Sequence, residues 1–316
     1  MSYSDDTSSS LFPAPQAKKK AMSRMEKEER FWGWVMILPL IAGLTVFYFI
    51  PFIQNVFYSF TDLGEFQIWN TLSFDNYINL WTDSEFLSAV GNTLIYVAIC
   101  VPLITFFSLL LAIGLNQAIR GQWLFRTLLF LPAVTMPAAI AMVWQWLMNR
   151  NFGLLNQLLG FFNLPAVGWL SDPDVVRLSA SVVIIWSAIA LKMIILLAGL
   201  QGIPKQIYEA ASLDGIGKLR CFWSITLPLM IPTLFFVLVI AFIETLQIFD
   251  VVYLLFGSSS MVDDQTMTIA YLFYKYAFIY QEKGYASAIA VVIFLLTMIL
   301  TLLQIWIGKR LKARQG

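Results

Sequence analysis

The chain has 316 residues, 59% apolar and only 12% charged, with a net charge of +1, against a soluble norm of about half apolar and a quarter charged. It contains no histidine, which removes imidazole acid–base chemistry and histidine-ligated metal centres. A polytopic membrane protein is the natural class, and the spans read below make it all-α. In chain order, residues 1–30 come first, a polar segment with Ser8, Ser9 and Ser10 and six Lys/Arg from Lys18 to Arg30. This is the composition of a disordered basic tail. The uncharged run Phe31 to Thr61 is too long for a signal-peptide core and lacks a small-residue cleavage site, so it is expected to stay as a span.

A bilayer core of about 30 Å asks for about 20 apolar residues at the helical rise. Six segments meet that need: 34–57, 86–115, 127–148, 175–200, 230–255 and 285–307. A further uncharged stretch, Asn151 to Ser171, is interrupted by Asn156, Gln157, Gly160, Asn163, Pro165 and Gly168 and reads as an amphipathic loop. Counting it as a span would invert everything after it.

Lys and Arg concentrate in short cytoplasmic loops, and six spans put fifteen of the 20 on one side. They fall in the N-terminal tail, at Arg120 and Arg126, at Lys205, Lys218 and Arg220, and in a C-terminal tail, 309–316. The loop Thr61 to Glu85 has five acids, no Lys or Arg, and an aromatic belt of Trp69, Phe74, Tyr77 and Trp81. Both termini are therefore expected in the cytoplasm, flanking a membrane domain of residues 31–308. Cys100 falls in a span and Cys221 in a cytoplasmic loop, so no disulfide is expected between them. There is no internal repeat and no inverted pair of broken helices.

The cytoplasmic segment 202–228 contains EAASLDGIGKLRCFWSITLP from Glu209 to Pro228. Pro204 suits a helix start. Ile203, Ile207, Tyr208 and Ala211 recur at helical spacing, and Asp214-Gly215 signals a turn. A second short helix is expected to carry Ile216, Leu219 and Trp223 on one stripe, closing at Pro228. Such an L-shaped pair either docks something in the cytoplasm or lies on lipid.

Inside the spans, Glu244 is placed near the midpoint of span five beside Thr245, with Ala241 and Ile248 on the same face. A charge there costs from about 2.5 kcal/mol upward, so it marks either a contact between helices or a binding site. Trp186, Ser187 and Leu191 on span four offer an aromatic surface and a hydroxyl, the chemistry that sugars need. A lone Trp in a span is more often packing than a sugar platform, and that is the other reading of Trp186. Gln145, with Trp144 and Trp146, is a further candidate or an interface belt. Lys192 is expected to snorkel to the inner interface, and Asp250 to be structural or to face an outer partner. Gly215-Ile216-Gly217-Lys218 is no phosphate loop, since Ser212 stands five residues before Gly217 and Leu219 replaces the magnesium-binding Ser/Thr. No catalytic residue and no metal site is expected.

The spacing Glu-Ala-Ala, three residues, Gly, nine residues, Ile-x-Leu-Pro is met by Glu209, Ala210, Ala211, Gly215, Ile225, Leu227 and Pro228. It resembles the EAA loop of ABC importer permeases. Pro51, Ser59-Phe60, Phe74, Asn76-Tyr77, Leu80, Asn92-Thr93, Arg126, Phe130-Leu131-Pro132, Trp144, Ala198-Gly199-Leu200-Gln201, Ile203-Pro204 and Phe249-Asp250 resemble the first permease of carbohydrate importers. Where that family has a Gly-Gly-Pro turn, this chain has Gly257-Ser258-Ser259-Ser260.

The resemblance implies a type I importer permease fold of six spans in a prokaryotic plasma membrane, with a cytoplasmic coupling helix between spans four and five. It implies Glu209, Ala210, Ala211 and Gly215 as the contact to an ATPase. The sugar would bind mid-membrane against Glu244, Thr245, Ile248, Ala241, Trp186, Ser187 and Leu191. The implied partners are a second permease, two ATP-binding subunits carrying ATP and magnesium, and an external solute-binding protein, with no cofactor in this chain and no nucleic acid. An ion-coupled transporter working alone, with Glu244 and Asp250 titrating, is the alternative.

Overall fold

The computed structural model describes residues 24–66, 68–117, 121–257 and 262–313. Residues 1–23, Arg120, Ser258 to Ser260 and residues 314–316, which carry parts of the expected tails and loops, lie outside that set. Every regular element described is helical; Thr61 and Leu72 form an isolated bridge. Residues 1–53 and 54–316 make two units.

The first unit holds α1 (Arg24–Leu44), a π-turn at Thr45–Phe49 and the beginning of α2 (Ile50–Tyr58), a continuous helical run that is charged over residues 24–30 and apolar beyond them. Residues 24–30, read from composition as tail, are already helical. Arg24 Nε meets Glu28 Oε1 one turn on at 3.3 Å, a pairing that favours a helix.

In the second unit, α3 (Asp75–Thr82) is tied back to the end of α2 by the residues the resemblance singles out. Asn76 Nδ2 donates to the carbonyls of Ser59 and Thr61, and the Ser59 and Tyr77 hydroxyls meet at 2.7 Å. Asp62 accepts from the amides of Asn70 and Thr71 at 2.8 and 3.0 Å, and these bonds hold its carboxyl below its ordinary pKa.

The chain continues through α4 (Ser84–Leu115), α5 (Gln122–Val134), α6 (Pro137–Leu147), α7 (Leu154–Phe161) and α8 (Val176–Gln201). The expected span three is broken: α5 and α6 meet at 104°. Thr135 and Met136 are extended and Pro137 starts α6, as steric exclusion before proline and its fitness for the first helical turn require. The 151–171 segment is not a span, since α7 has only eight residues. Buried Asn156 organises this loop, donating to the carbonyls of Arg150 and Val167 and accepting from Val167 N and Trp169 Nε1.

Next come α9 (Lys205–Leu213), α10 (Lys218–Cys221) and α11 (Leu227–Leu246). The expected separate second helix of the loop is absent. Instead α10 runs through a π-turn at Phe222–Thr226 into α11, giving one helix from Lys218 to Leu246. Pro228 and Pro232 do not end it: Pro228 follows directly on the π-turn, and Pro232 sits inside α11.

Span five is also shorter than expected. α11 stops at Leu246, and α12 (Asp250–Phe256) resumes after three residues. Then follow α13 (Asp263–Thr266), α14 (Ile269–Tyr274) with a π-turn at Lys275–Ile279, and α15 (Lys283–Ala313), which carries the helix into the segment read as a C-terminal tail. Among the described residues, five helices are long and apolar enough to cross a membrane, and the bent α5–α6 pair, taken as one span, makes a sixth.

α4 and α8 form the centre. Cys100 faces the Ser181 carbonyl and Ser108 the Ile189 carbonyl, so both helices advance in the same direction along their contact. Parallel contact requires one span between them, the bent pair. Small buried residues, Ala89, Cys100 and Ala112 on α4 and Ala180 and Ala190 on α8, let the backbones approach, which is how helices associate where lipid removes the hydrophobic drive. Gly199 does the same against α11, where a Cβ would come within 2.8 Å of Thr233 Cγ2.

Candidate functional site

A cavity of about 470 Å³ opens where both breaks meet. α5 and α6 supply Phe130, Pro132, Thr135, Pro137 and Ile140; α8 supplies Ser187, Leu191 and Lys192; and the α11–α12 break supplies Glu244, Thr245, Ile248 and Asp250. Of the seven side chains expected around a substrate, Glu244, Thr245, Ile248, Ser187 and Leu191 line it. Ala241 and Trp186 do not. Ala241 is buried and its carbonyl accepts the Thr245 hydroxyl at 2.7 Å. Trp186 stands edge-on to Trp144, centroids 5.8 Å apart, on another side of α8. Gln145 donates to the carbonyls of Leu254 and Leu255, closing the end of α12.

Glu244 sits two residues from the end of α11, not at the middle of a long span. The break is held by hydrogen bonds from elsewhere. Thr268 Oγ1 donates to the Ile248 carbonyl at 2.7 Å while accepting from Tyr271 N, and Tyr271 Oη donates to Gly257 O at 2.7 Å. Backbone groups freed inside a bilayer need such partners. The segment carrying Thr268 is itself moored to α4 and α8. Asn92 Nδ2 donates to the carbonyls of Asp264 and Met267, Thr93 Oγ1 accepts from Ile269 N, and Arg177 Nε donates to Asn92 and to Gln265 O.

Lys192 does not snorkel. Its side chain is 3% exposed and its ammonium pairs with Glu244, whose side chain is 48% exposed and faces the cavity. Glu244 thus makes the contact between helices, linking α8 to α11, and it also presents a carboxylate to the cavity. Asp250, expected to be structural or to face an outer partner, is on the cavity wall as well. One signal for Lys192 was in the sequence: Lys192 and Glu244 are charges of opposite sign placed inside consecutive apolar runs. The contribution of Phe130 to Pro137 was signalled by the two prolines that break span three.

At the other end of the same helices, α9 turns Ile203, Ile207, Tyr208 and Ala211 inward, and Tyr208 Oη meets Thr226 Oγ1 at 3.2 Å. Its end is a Schellman turn: Gly215, at φ +70°, bonds back to Ser212 O and Ile216 to Ala211 O, the geometry that favours glycine. Glu209, Ala210 and Gly215 are exposed, whereas Ala211, expected on the docking side, is buried against the chain itself. The expected stripe is split: Ile216 is half-buried, but Leu219 and Trp223 are 74% and 61% exposed.

Residues 82–313 match the model of the family described as binding-protein-dependent transport system inner membrane component. The chain belongs to this family. It is 32% identical over 283 residues to the multiple sugar-binding transport system permease protein MsmF of Streptococcus mutans serotype c, covering 89% of this chain and 96% of that one. It is 31% identical over 284 residues to the lactose transport system permease protein LacF of Rhizobium radiobacter, covering 89% and 95%. Its fold matches a chain in the crystal structure of a bacterial alginate ABC transporter in complex with an alginate pentasaccharide-bound periplasmic protein. That match has TM-score 0.81 and 23% identity, over 92% of this chain and 98% of that one. The chain is an ABC importer permease, a multi-pass membrane component that works with partner subunits.

Proposed function

We propose that this permease forms half of an alternating-access channel for a mono- or oligosaccharide or a polyol, paired with a second permease. Two ATP-binding subunits, holding ATP and magnesium, drive it from the cytoplasm, and an external binding protein delivers the solute. The observation that carries this reading is the cavity at the two helix breaks. It offers carboxylates and a hydroxyl among apolar walls, the mixture that sugar hydroxyls and C–H faces require, and the names of MsmF and LacF support a sugar as its occupant.

The fold suggests how force reaches it. α9 presents Glu209 and Gly215 outward, and the unbroken helix Lys218 to Leu246 leads from that loop to Glu244. Closure of the ATPase pair would draw α9 toward its counterpart and rock this helix, turning the cavity outward; hydrolysis would return it inward. The charge distribution supports cytoplasmic termini and a cytoplasmic α9.

Purification in mild detergent should bring down a second permease and an ATPase. Uptake into vesicles should stop on ATP depletion and ignore an uncoupler. Uptake that survives ATP depletion and collapses with the uncoupler would favour an ion-coupled carrier instead.

A further inference from the structure

We infer that the cavity selects neutral carbohydrate over anionic analogues, and that Asp250 is the residue that sets this preference; the inference rests on the transport reading above. Lys192, Glu244 and Asp250 are the charged side chains that line the cavity. The Lys192 ammonium is almost fully buried and held on Glu244, so its charge is spent within the wall. Asp250 is exposed to the cavity from the far side of the break and has no hydrogen bond or ion pair among the described residues. The wall therefore carries one uncompensated negative charge. α5 and α6 contribute only uncharged side chains to it.

A concave wall of mostly apolar surface focuses that field and limits its screening. An anionic solute entering here finds no free cation among the described residues of the wall. To recruit Lys192 it would have to displace Glu244, leaving that carboxylate unpaired beside a second one. A neutral sugar meets the opposite situation. Its hydroxyls donate, and the oxygens of Glu244 and Asp250 are pure acceptors that form the stronger, charge-assisted kind of hydrogen bond. Phe130, Leu191 and Ile248 supply apolar surface for its C–H faces.

The test is equilibrium binding to the assembled importer in detergent, without the external binding protein, so that the selection measured belongs to the membrane cavity. The probes are matched pairs: lactose with lactobionate, and trehalose with trehalose 6-phosphate. At least one neutral member should bind about tenfold or more tighter than its anionic partner. That ratio should shrink about tenfold in Asp250→Asn and invert in Asp250→Lys, with the variants still copurifying with their partner subunits. Equal or tighter binding of the anionic members to the unaltered importer, or a ratio unmoved by both substitutions, overturns the inference. ATP-driven uptake of the same neutral sugars in proteoliposomes is the separate control. If none is carried, the transport reading falls and takes the charge preference with it.

Discussion

A lysine ammonium 3% exposed within an apolar helix needs a counter-charge within reach, and Glu244 provides it for Lys192. The pair is asymmetric, because Glu244 also faces the cavity. Removing the carboxylate strands the cation, whereas replacing both partners does not. Glu244→Gln should therefore destabilise the permease by up to about 3 kcal/mol, the lower end of what breaking a buried pair costs. The double variant Lys192→Met/Glu244→Gln should regain most of that loss. Denaturant unfolding in mixed micelles measures both, and equal stability of the single and double variants would mean that the pair is not coupled. Transport should stay impaired in both, because both lack the Glu244 carboxylate.

The helix breaks and the end of α9 are properties of elements. Thr268 holds the α11–α12 break by donating to Ile248 and caps α14 by accepting from Tyr271. Thr268→Val should cost about 2 kcal/mol, a lost cap plus an orphaned carbonyl, and should speed hydrogen exchange in residues 246–252. Thr268→Ser should restore protection, and unchanged exchange in the valine variant would show that the break does not depend on this hydroxyl. At the end of α9, the space around Gly215 is open but its φ is +70°. Gly215→Val should then strain the turn by about 1–2 kcal/mol, while Gly215→Asn suits the left-handed conformation. If ATPase copurification fails with both, bulk at a docked surface is responsible. If it fails with valine alone, the backbone turn is.

At the scale of the whole molecule, orientation can be read from the native cysteines. Cys221 is partly exposed beside α9 and Cys100 is buried. A membrane-impermeant thiol reagent should label Cys221 in inside-out vesicles and not in intact cells; labelling from outside would reverse the topology. The span count, the α9 helix with its glycine stop and the loop at Asn151 to Ser171 were all legible in the sequence. They follow from local rules: the length of apolar runs, the placement of Lys and Arg, and glycine and proline punctuation. The cavity was legible only in part. Glu244 and its neighbours stood out as polar groups in apolar runs, but span three read as unbroken despite Pro132 and Pro137, and nothing local in Gln247 to Phe249 signals a helix end. That break exists because Thr268, moored through Asn92, Thr93 and Arg177, takes the freed carbonyl from a distant part of the chain. The partner of Lys192 and the position of Asp250 were decided in the same way. Each depends on which helices touch, and that is fixed by long-range packing and hydrogen bonds that no short stretch of sequence contains.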